Sequence, residues 1–250
     1  MGALLEALLA HARERAANLP IATPVARSSR PSFRQAIAGK QRLAVIAEWK
    51  RASPSAGRIA HAPDLTHKVR AYRDGGAAAI SVLTEDSRFG GSFDDLRMAA
   101  SAVDLPLLMK DFVVATSQVA IAAQLGASAV LLIARALDDA QLGELYAACG
   151  AFGLDALVEC HDERELERAL RLPDAVLGIN NRDLDTLAID PLRAARLLPR
   201  VPKGRIAVAE SGFQTPAAAR VLRGIADAVL IGTALMRSED PGAFVTEVQR

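Results

Sequence analysis

Five short apolar runs in the sequence end in polar side chains that could carry out acid–base chemistry. In chain order these side chains are Glu48 and Lys50, Lys110, Glu159, Asn180 and Arg182, and Glu210. Charged groups at the ends of buried strands are costly unless they are paired or functional. A structural ion pair would explain one such residue, whereas this many predict a site in which lysines donate protons and glutamates accept them.

Two later loops contain glycines that suit an anionic ligand. Glu210 is followed by Ser211 and Gly212, and the last apolar run is followed by Gly232 and Thr233. Glycine lets backbone N–H groups approach phosphate oxygens closely, and the threonine would add a hydroxyl group. The alternative is that both glycines are ordinary turn residues.

The segment 51–63, after the first apolar run, is long for a loop in a compact domain, which is typical of a functional lid. Lys50 and Ser53 at its start are placed to meet an anionic substrate, although a solvated Ser-Pro turn is the alternative. Phe89 and Phe112 follow two other apolar runs. Their rings could sandwich a flat ligand or simply pack beneath loops.

Other kinds of chemistry lack their sequence signatures. The four histidines are His11, His61, His67 and His161. They show no H-x-H or H-E-x-x-H spacing, and the chain has no P-loop, no G-x-S-x-G and no dinucleotide-binding motif. The sequence therefore predicts acid–base chemistry on a phosphorylated small molecule, with no metal and no cofactor.

Eight short apolar runs indicate the buried strands of a parallel sheet. They cover residues 43–47, 77–83, 105–109, 129–134, 154–158, 175–179, 206–209 and 226–231. The runs are continuous rather than alternating, as expected for parallel strands covered on both faces. Eight units over roughly 208 residues, about 26 residues each, fit a (β/α)8 barrel. The alternative, an open doubly wound sheet, predicts a glycine-rich turn after the first strand, where the sequence has Glu48-Trp49-Lys50.

The predicted fold class is therefore α/β, a single TIM barrel with an N-terminal helical extension. We expect one domain over 1–250, with the extension at 1–40 and the barrel at 41–250. An amphipathic pattern predicts a helix at 3–18 in the extension, and we expect a second short helix at 32–38. Helices between the strands are predicted at 64–74, 162–171, 191–198 and 215–223, the last two opening with Asp190-Pro191 and Thr215-Pro216.

The alternation of side chains along a strand separates site residues from core residues. Glu48 and Lys50 should share one face of the first strand, while Trp49 faces the helices. If Glu159 points into the barrel mouth, its neighbour Cys160 points towards the helices. That places the cysteine in the core and argues against a nucleophile, and Cys149 in a helical stretch is interpreted in the same way.

Composition limits the classes of partner. The 250 residues include 30 basic and 29 acidic side chains, and a net charge of +1 gives no electrostatic case for nucleic acid or an anionic membrane surface. Aromatic residues make up only 4%, too few for base-stacking platforms. Two cysteines without C-x-x-C spacing indicate reduced thiols. We expect a monomeric cytoplasmic protein that binds a small molecule and no membrane.

Six segments of the sequence together resemble the indole-3-glycerol phosphate synthase family. They are VIAEWKRASPS from Val45, VLTEDSRFGGS from Val82, LMKDF from Leu108, LVECH from Leu157, GINNRDL from Gly178 and AESGF from Ala209. The resemblance covers nearly the whole chain, including the N-terminal extension. It implies a (β/α)8 barrel of tryptophan biosynthesis that converts 1-(2-carboxyphenylamino)-1-deoxyribulose 5-phosphate into indole-3-glycerol phosphate, carbon dioxide and water.

The resemblance also implies roles for individual residues. Lys110 would be the general acid and Glu159 the general base, with Lys50 and Glu48 as a second acid–base pair. The implied substrate-binding residues are Ser53, Asn180, Arg182, Glu210 and Ser211, and the implied phosphate residues are Gly212, Gly232 and Thr233. To these we add Phe89 and Phe112 at the substrate and Lys50 at the phosphate. The chain departs from the family pattern at Trp49, Ala56, Phe213 and Thr233.

Three alternatives stay open on the residues alone. Lys110 could attack a carbonyl group and form a Schiff base, as in aldolases. The barrel could bind a phosphosugar without catalysis, although phosphate binding does not call for carboxylates nearby. Arg182 could bind a substrate carboxylate or phosphate, or it could form a structural ion pair with Asp183 or Asp185.

Overall fold

Eight parallel strands form a closed barrel at the centre of the structure. The computed structural model describes residues 2–20, 30–39, 42–59 and 64–250. The strands are β1 (Ala44–Trp49), β2 (Ala79–Leu83), β3 (Leu107–Lys110), β4 (Ala129–Ile133), β5 (Asp155–Cys160), β6 (Val176–Asn180), β7 (Ala207–Glu210) and β8 (Ala228–Ile231). Each strand pairs with the next along the chain, and β8 pairs with β1. The predicted TIM barrel is confirmed, and the open doubly wound alternative is wrong.

Helices alternate with the strands around the outside of the barrel. The extension contains α1 (Ala3–Ala17) and α2 (Phe33–Ile37). The barrel contains α3 (Leu65–Asp74), α4 (Phe93–Ala102), α5 (Thr116–Gln124), α6 (Asp139–Ala151), α7 (Glu163–Leu170), α8 (Arg193–Leu197), α9 (Pro216–Arg220), α10 (Thr233–Arg237) and α11 (Pro241–Gln249), with short 3-10 turns at Ala134–Ala136 and Leu198–Arg200. Many of these helices begin at a residue whose side chain accepts a hydrogen bond from the first turn. Thr215 does so for α9, as the sequence predicts.

The helix α8 begins later than its sequence pattern predicts. The pattern at 191–198 places a proline in the first turn, but the helix starts at Arg193 and Pro191 lies in the turn before it. The reason is a cap from elsewhere in the chain. The side-chain oxygen of Asn181, after β6, accepts a hydrogen bond of 2.9 Å from the backbone N–H of Ala194.

Apolar side chains form two clusters, one inside the barrel and one between the barrel and its helices. The inner cluster takes alternate residues of the strands, such as Ile46 and Leu108. The outer cluster takes the residues between them and the apolar faces of the helices. Trp49, Cys149 and Cys160 are buried in the outer cluster, so their predicted positions in the core are confirmed.

The two helices of the extension lie at opposite ends of the barrel. α1 lies at the carboxyl ends of the strands, where Arg15 donates to Asp111 after β3 and to the carbonyl of Thr84 after β2. α2 lies at the amino ends, where the backbone N–H of Arg34 donates to Asp155 at the start of β5. Both helices contribute buried side chains to the inner cluster. α2 therefore closes the end of the barrel at the amino ends of the strands, and α1 covers part of the end at their carboxyl ends.

Two sequence predictions fall partly outside the described residues. The described residues do not include 60–63, which contain His61 and end the predicted lid loop, or 40–41, where the predicted extension meets the predicted barrel. The described start of the lid loop forms a hairpin of Ala52–Ser53 and Gly57–Arg58. Among the described residues, no helix has the length and apolar character needed to cross a lipid bilayer.

Candidate active site

The side chains singled out from the sequence come together in one pocket at the carboxyl ends of the strands. Those lining it are Glu48, Lys50, Ser53, Phe89, Lys110, Phe112, Glu159, Asn180, Arg182, Glu210, Ser211, Gly212, Gly232 and Thr233. They come from β1, β3, β5, β6, β7 and the loops that follow the strands. In a closed parallel barrel the carboxyl ends of all strands share one face, so residues far apart in the chain meet there.

Lys110 lies between two buried carboxylates. Its Nζ atom is 3.1 Å from Glu159 Oε2 and 3.3 Å from Glu210 Oε2, and both glutamates are 1% exposed. Burial alone would lower the pKa of Lys110, but the negative charge of Glu159, with that of Glu210 when it is ionised and that of Glu48, outweighs burial and raises the pKa. The side chain is therefore a protonated amine in contact with the pocket.

The two carboxylates that face Lys110 differ in acidity. Burial would raise the pKa of Glu159, but Lys110 and His161 outweigh it and hold the pKa below its ordinary range. Burial raises the pKa of Glu210, Lys110 opposes this, and the nearby Glu159 adds to the rise. Two carboxylates this close do not both ionise readily. Glu159 is therefore the anion, and Glu210 is the group that tends to keep a proton.

A second lysine–glutamate pair lies on β1. The Nζ atom of Lys50 is 2.8 Å from Glu48 Oε1, and the hydroxyl of Ser81 on β2 donates to Glu48 Oε2 at 3.3 Å. The side chain of the glutamate is 4% exposed and that of the lysine 14%. The predicted strand alternation is confirmed, because both side chains face the pocket and Trp49 between them does not.

Two glycines make room for these carboxylates. A Cβ atom on Gly178, in β6, would overlap Glu210 Oε1, and a Cβ atom on Gly232, after β8, would overlap Glu48 Oε1 and lie against Lys50 Nζ. Glycine is the residue that permits such a close approach. Gly232 therefore has a packing role beside Glu48 in addition to its predicted place near a phosphate.

The loops after β7 and β8 form one end of the pocket. Ser211 has a φ of 67° and Gly212 a φ of 91°, so two consecutive residues take the left-handed conformation that is uncommon for serine. The side-chain amide of Asn181 donates to Ser211 O at 3.0 Å and fixes this turn. Lys50 lies beside Gly232 and supplies positive charge at this end of the pocket.

The opposite end of the pocket is apolar. The rings of Phe89 and Phe112 lie with their centroids 6.5 Å apart and their planes at 45°, so they contact each other in a tilted pair. A flat ligand ring would therefore lie against this pair and not between its members. Further apolar side chains line the pocket: Leu4, Leu5 and Leu8 of α1, Leu131 of β4, and Leu184 and Leu187 after β6.

Arg182 is available to the pocket. Its guanidinium donates to the carbonyl of Leu187 at 2.8 Å. The ion pair with Asp183 or Asp185 that the sequence left open is not formed, because Arg135 faces both of those carboxylates, at 3.2 and 3.7 Å.

Sequence analysis did not foresee that α1 belongs to the site. Arg15 lies 3.2 Å from the buried carboxylate of Asp111, which is next to Lys110 in the chain. No local pattern relates residues 96 positions apart. The only signal was the row of leucines on one face of α1, which showed that the helix packs against something but not what.

A histidine and two acidic residues also tie α1 to the loop after β2. Nε2 of His11 is 2.7 Å from Asp86 Oδ1. One ring nitrogen of His11 and one carboxylate oxygen each of Glu85 and Asp86 lie within 4.8 Å of one another. Sequence spacing did not indicate this group. The carboxylate of Glu85 accepts hydrogen bonds from the backbone N–H groups of Arg88 and Phe89, so it shapes the loop that carries Phe89.

Closed parallel barrels that gather ionisable side chains at the carboxyl ends of their strands are characteristically enzymes. Fold and pocket place this chain in that class, as a TIM-barrel enzyme with an acid–base site. The chain belongs to the indole-3-glycerol phosphate synthase family, whose model matches residues 5–248.

Relatives named indole-3-glycerol phosphate synthase agree with this family. One from Nocardioides sp. is 52% identical, with 80% of this chain and 78% of the relative covered. One from Opitutus terrae is 44% identical, with 96% of both chains covered. One from Exiguobacterium sibiricum is 42% identical, with 98% of this chain and 96% of the relative covered.

Solved structures that resemble the chain share its fold. The 3-hexulose-6-phosphate synthase of Salmonella typhimurium has a TM-score of 0.68 and 12% identity, with 83% of this chain and 97% of that chain covered. The tryptophan synthase alpha subunit of Legionella pneumophila has a TM-score of 0.63 and 13% identity, with 87% and 96% covered. At these identities the comparison supports the barrel and nothing finer.

Proposed function

We infer that this chain converts 1-(2-carboxyphenylamino)-1-deoxyribulose 5-phosphate into indole-3-glycerol phosphate, carbon dioxide and water, a step of tryptophan biosynthesis. Its family and relatives at 42–52% identity support this activity. One observation carries the catalytic assignment, namely the amine of Lys110 between the carboxyl groups of Glu159 and Glu210 in the pocket.

The two ends of the pocket suit the two ends of this substrate. The carboxyphenyl ring lies against Phe89, Phe112 and the leucines of α1 at the apolar end. The phosphate lies at the loops after β7 and β8, near Gly212, Thr233 and Lys50. The ketone of the sugar chain then lies between the ends, within reach of Lys110.

Ring closure is the first step and needs a proton donor. The ring carbon that bears the carboxylate attacks the ketone carbon, and Lys110 gives its proton to the ketone oxygen, which becomes a hydroxyl. A positioned acid of this kind contributes about 10²- to 10⁴-fold to the rate. The attack leaves a cationic, non-aromatic ring, and loss of carbon dioxide returns the bonding electrons to that ring.

Dehydration is the second step and needs one acid and one base. Glu159 removes a proton from the methylene carbon of the new five-membered ring, and the electrons form the indole double bond. The hydroxyl leaves as water with a proton from Lys50, whose partner is Glu48 at 2.8 Å. Ser53, Asn180, Arg182, Glu210 and Ser211 line the pocket around these groups and bind the substrate.

Two rival activities fit the site less well. A Schiff base requires a neutral amine as the nucleophile, whereas the carboxylates around Lys110 raise its pKa and favour the protonated form. A barrel that only binds phosphosugars has no need for Glu159 and Glu210 beside the lysine. Both rivals predict that the substrate is not converted into indole-3-glycerol phosphate.

We also propose that one chain forms the complete site and acts as a monomer in the cytoplasm. The pocket lining includes residues from α1 to the start of α10, and this span supports a single domain over residues 1–250. Both cysteines are buried free thiols, which suits a reducing compartment. A net charge of +1 supports a small-molecule substrate and no nucleic acid.

The direct test is to add the carboxyphenylamino-deoxyribulose phosphate to the purified chain. Indole-3-glycerol phosphate, followed by its fluorescence, and carbon dioxide should form in equal amounts. A folded chain that releases neither product would contradict the activity. Borohydride added during turnover should leave the protein unmodified, and a reduced adduct on Lys110 would favour the Schiff-base rival.

A further inference from the structure

A buried histidine that the chemistry above does not use lies behind Glu159. His161 follows β5 directly, and its side chain is fully buried and does not line the pocket. Its Nδ1 atom is 3.0 Å from Glu165 Oε2 in α7, and its Nε2 atom is 3.4 Å from Glu159 Oε1. Both nitrogens of the ring therefore face a carboxylate.

This arrangement favours a charged imidazole. A neutral ring donates from one nitrogen only and would turn the lone pair of the other towards a carboxylate, whereas an imidazolium donates from both. Burial would lower the pKa of His161, but the hydrogen bonds and charges of Glu159 and Glu165 raise it to about 9. The ring is therefore a cation at neutral pH.

The imidazole is held from the side that faces away from the pocket. Glu165 Oε2 accepts a hydrogen bond of 2.7 Å from the backbone N–H of His161 as well as facing the ring. Glu165 Oε1 accepts one of 2.6 Å from Arg135, which in turn lies 3.2 Å from Asp183. The ring cannot turn away from Glu159 without breaking these contacts.

Each oxygen of Glu159 therefore faces a different cation. Oε2 faces Lys110 and the pocket, while Oε1 faces His161 behind it. Among the described residues, neither Glu159 Oε1 nor His161 Nε2 has a hydrogen-bond partner, and the two atoms face each other as an ion pair at 3.4 Å. Without the imidazolium, Oε1 would be a buried charged oxygen with no partner, and the carboxyl group would rotate or take up a proton.

We propose that His161 is a positioning residue for this reaction, which as an imidazolium holds the Glu159 carboxylate ionised and turned towards Lys110 and the substrate. The proposal rests on the proposed role of Glu159 as the base. His161 touches no substrate and acts only through that carboxylate. It is the middle member of a chain of contacts from Glu165 of α7 through His161 to the carboxylate of Glu159.

Charged and titratable groups face this pair from several elements. They are Glu159 and Cys160 on β5, Asp162 and Glu165 at the start of α7, Arg135 after β4, Asp183 and Asp185 after β6, Glu210 on β7 and Lys110 on β3. Of these groups, Glu159 and Glu165 lie nearest the ring, at 3.4 and 3.0 Å. Removal of the imidazolium should therefore act first on the ionisation of Glu159.

The test compares His161→Leu with the wild type by steady-state kinetics across a range of pH. At neutral pH kcat should fall about tenfold while KM stays within about twofold, because the pocket lining is unchanged. On the acidic side of its pH profile, kcat declines as Glu159 takes up a proton, and we call this decline the acid limb. The midpoint of the acid limb should rise by about one pH unit or more, since Glu159 loses a neighbouring positive charge. The wild type in the same assay tests the proposed activity separately.

Two further variants distinguish positioning from general packing. His161→Gln keeps an N–H donor for Glu159 without the charge, so it should recover part of kcat while its acid limb stays displaced. Cys160→Ala removes buried volume from the other face of the same strand end. It should lower the melting temperature without moving the acid limb.

An active wild type together with a folded His161→Leu variant of unchanged kcat and acid limb would overturn the proposal. Equal losses of kcat in His161→Leu and Cys160→Ala, with the acid limb unmoved in both, would also overturn it. If His161→Leu does not fold, His161→Gln decides by the same criterion. An inactive wild type would instead overturn the proposed function.

Discussion

Gly178 lies directly against the carboxylate of Glu210, so that a Cβ atom on the glycine would overlap Glu210 Oε1. The glycine is in β6, whose neighbour β5 places Glu159 opposite it in the register. The absent side chain is therefore what allows the carboxyl groups of β5 and β7 to approach Lys110 from both sides.

Gly178→Ala should lower turnover strongly. The added methyl group must push Glu210 away from Lys110, because strand backbone on both sides leaves the alanine no other position. We expect kcat to fall at least about tenfold, as for a misplaced catalytic group, with a native circular dichroism spectrum. Steady-state kinetics with the proposed substrate measures this.

Gly143→Ala is the matched control. Gly143 lies within α6, where a Cβ atom would meet nothing within 4 Å. Alanine there should stabilise the protein by about 0.5–1 kcal/mol and leave turnover unchanged. Wild-type turnover in Gly178→Ala would show that the space at β6 does not position Glu210.

Arg15→Leu should weaken substrate binding more than it slows chemistry. Arg15 joins α1 to Asp111 and to the carbonyl of Thr84, and its guanidinium lies 5.2 Å from the centre of the Phe93 ring. Without it the leucines of α1 should no longer form a fixed wall of the apolar end. We expect KM to rise about tenfold, with a smaller change in kcat, in steady-state kinetics.

Arg97→Leu provides the control for Arg15. Arg97 pairs with Asp94 one helical turn away, and both side chains are more than half exposed. Its loss should change neither KM nor kcat, because exposed pairs contribute little. Equal effects of the two variants would mean that α1 does not form part of the binding site.

The free energy of unfolding of Glu210→Gln, taken relative to that of the wild type, should increase as the pH rises. Burial raises the pKa of Glu210 above its ordinary value of 4.5, despite Lys110 and with a further rise from Glu159. The native state thus binds this proton more tightly than the unfolded chain. The stability from this group is complete below about pH 4.5 and is lost as the pH rises through the raised pKa.

Urea unfolding of both proteins at pH 4.5 and pH 8 measures this effect, with the lower pH set at the ordinary value of the carboxyl group. Glutamine cannot ionise, so the free energy of unfolding of Glu210→Gln relative to the wild type should be higher at about pH 8 than at the lower pH. A difference that does not change with pH would mean that the pKa of Glu210 is not raised in the native protein.

The barrel and most of the pocket were predictable because both follow from strand periodicity. Continuous apolar runs indicated parallel strands, and the closure of eight such strands brings Lys110, Glu159 and Glu210 to one face whatever their distance in the chain. Alternation along the strand then separated Glu159 from Cys160 correctly.

What the sequence did not predict depends on contacts between distant segments. The pairing of Arg15 with Asp111 and the capping of α8 by Asn181 have no local pattern. The spacing of His161 fits no metal site, so sequence analysis assigned it no role. Its partners in the structure are Glu159 on β5 and Glu165 in the first turn of α7. Gly178 did carry a signal, since a glycine inside a strand often marks a close approach.

The most direct test of the central claim is the turnover of the carboxyphenylamino-deoxyribulose phosphate by the wild type and by Lys110→Ala, followed by indole fluorescence. We expect kcat of Lys110→Ala to fall by about 100-fold or more with the fold retained, because the proton for the ketone oxygen is lost. Lys203→Ala, at an exposed position, should behave as the wild type. A folded Lys110→Ala variant that turns over at the wild-type rate would contradict the account.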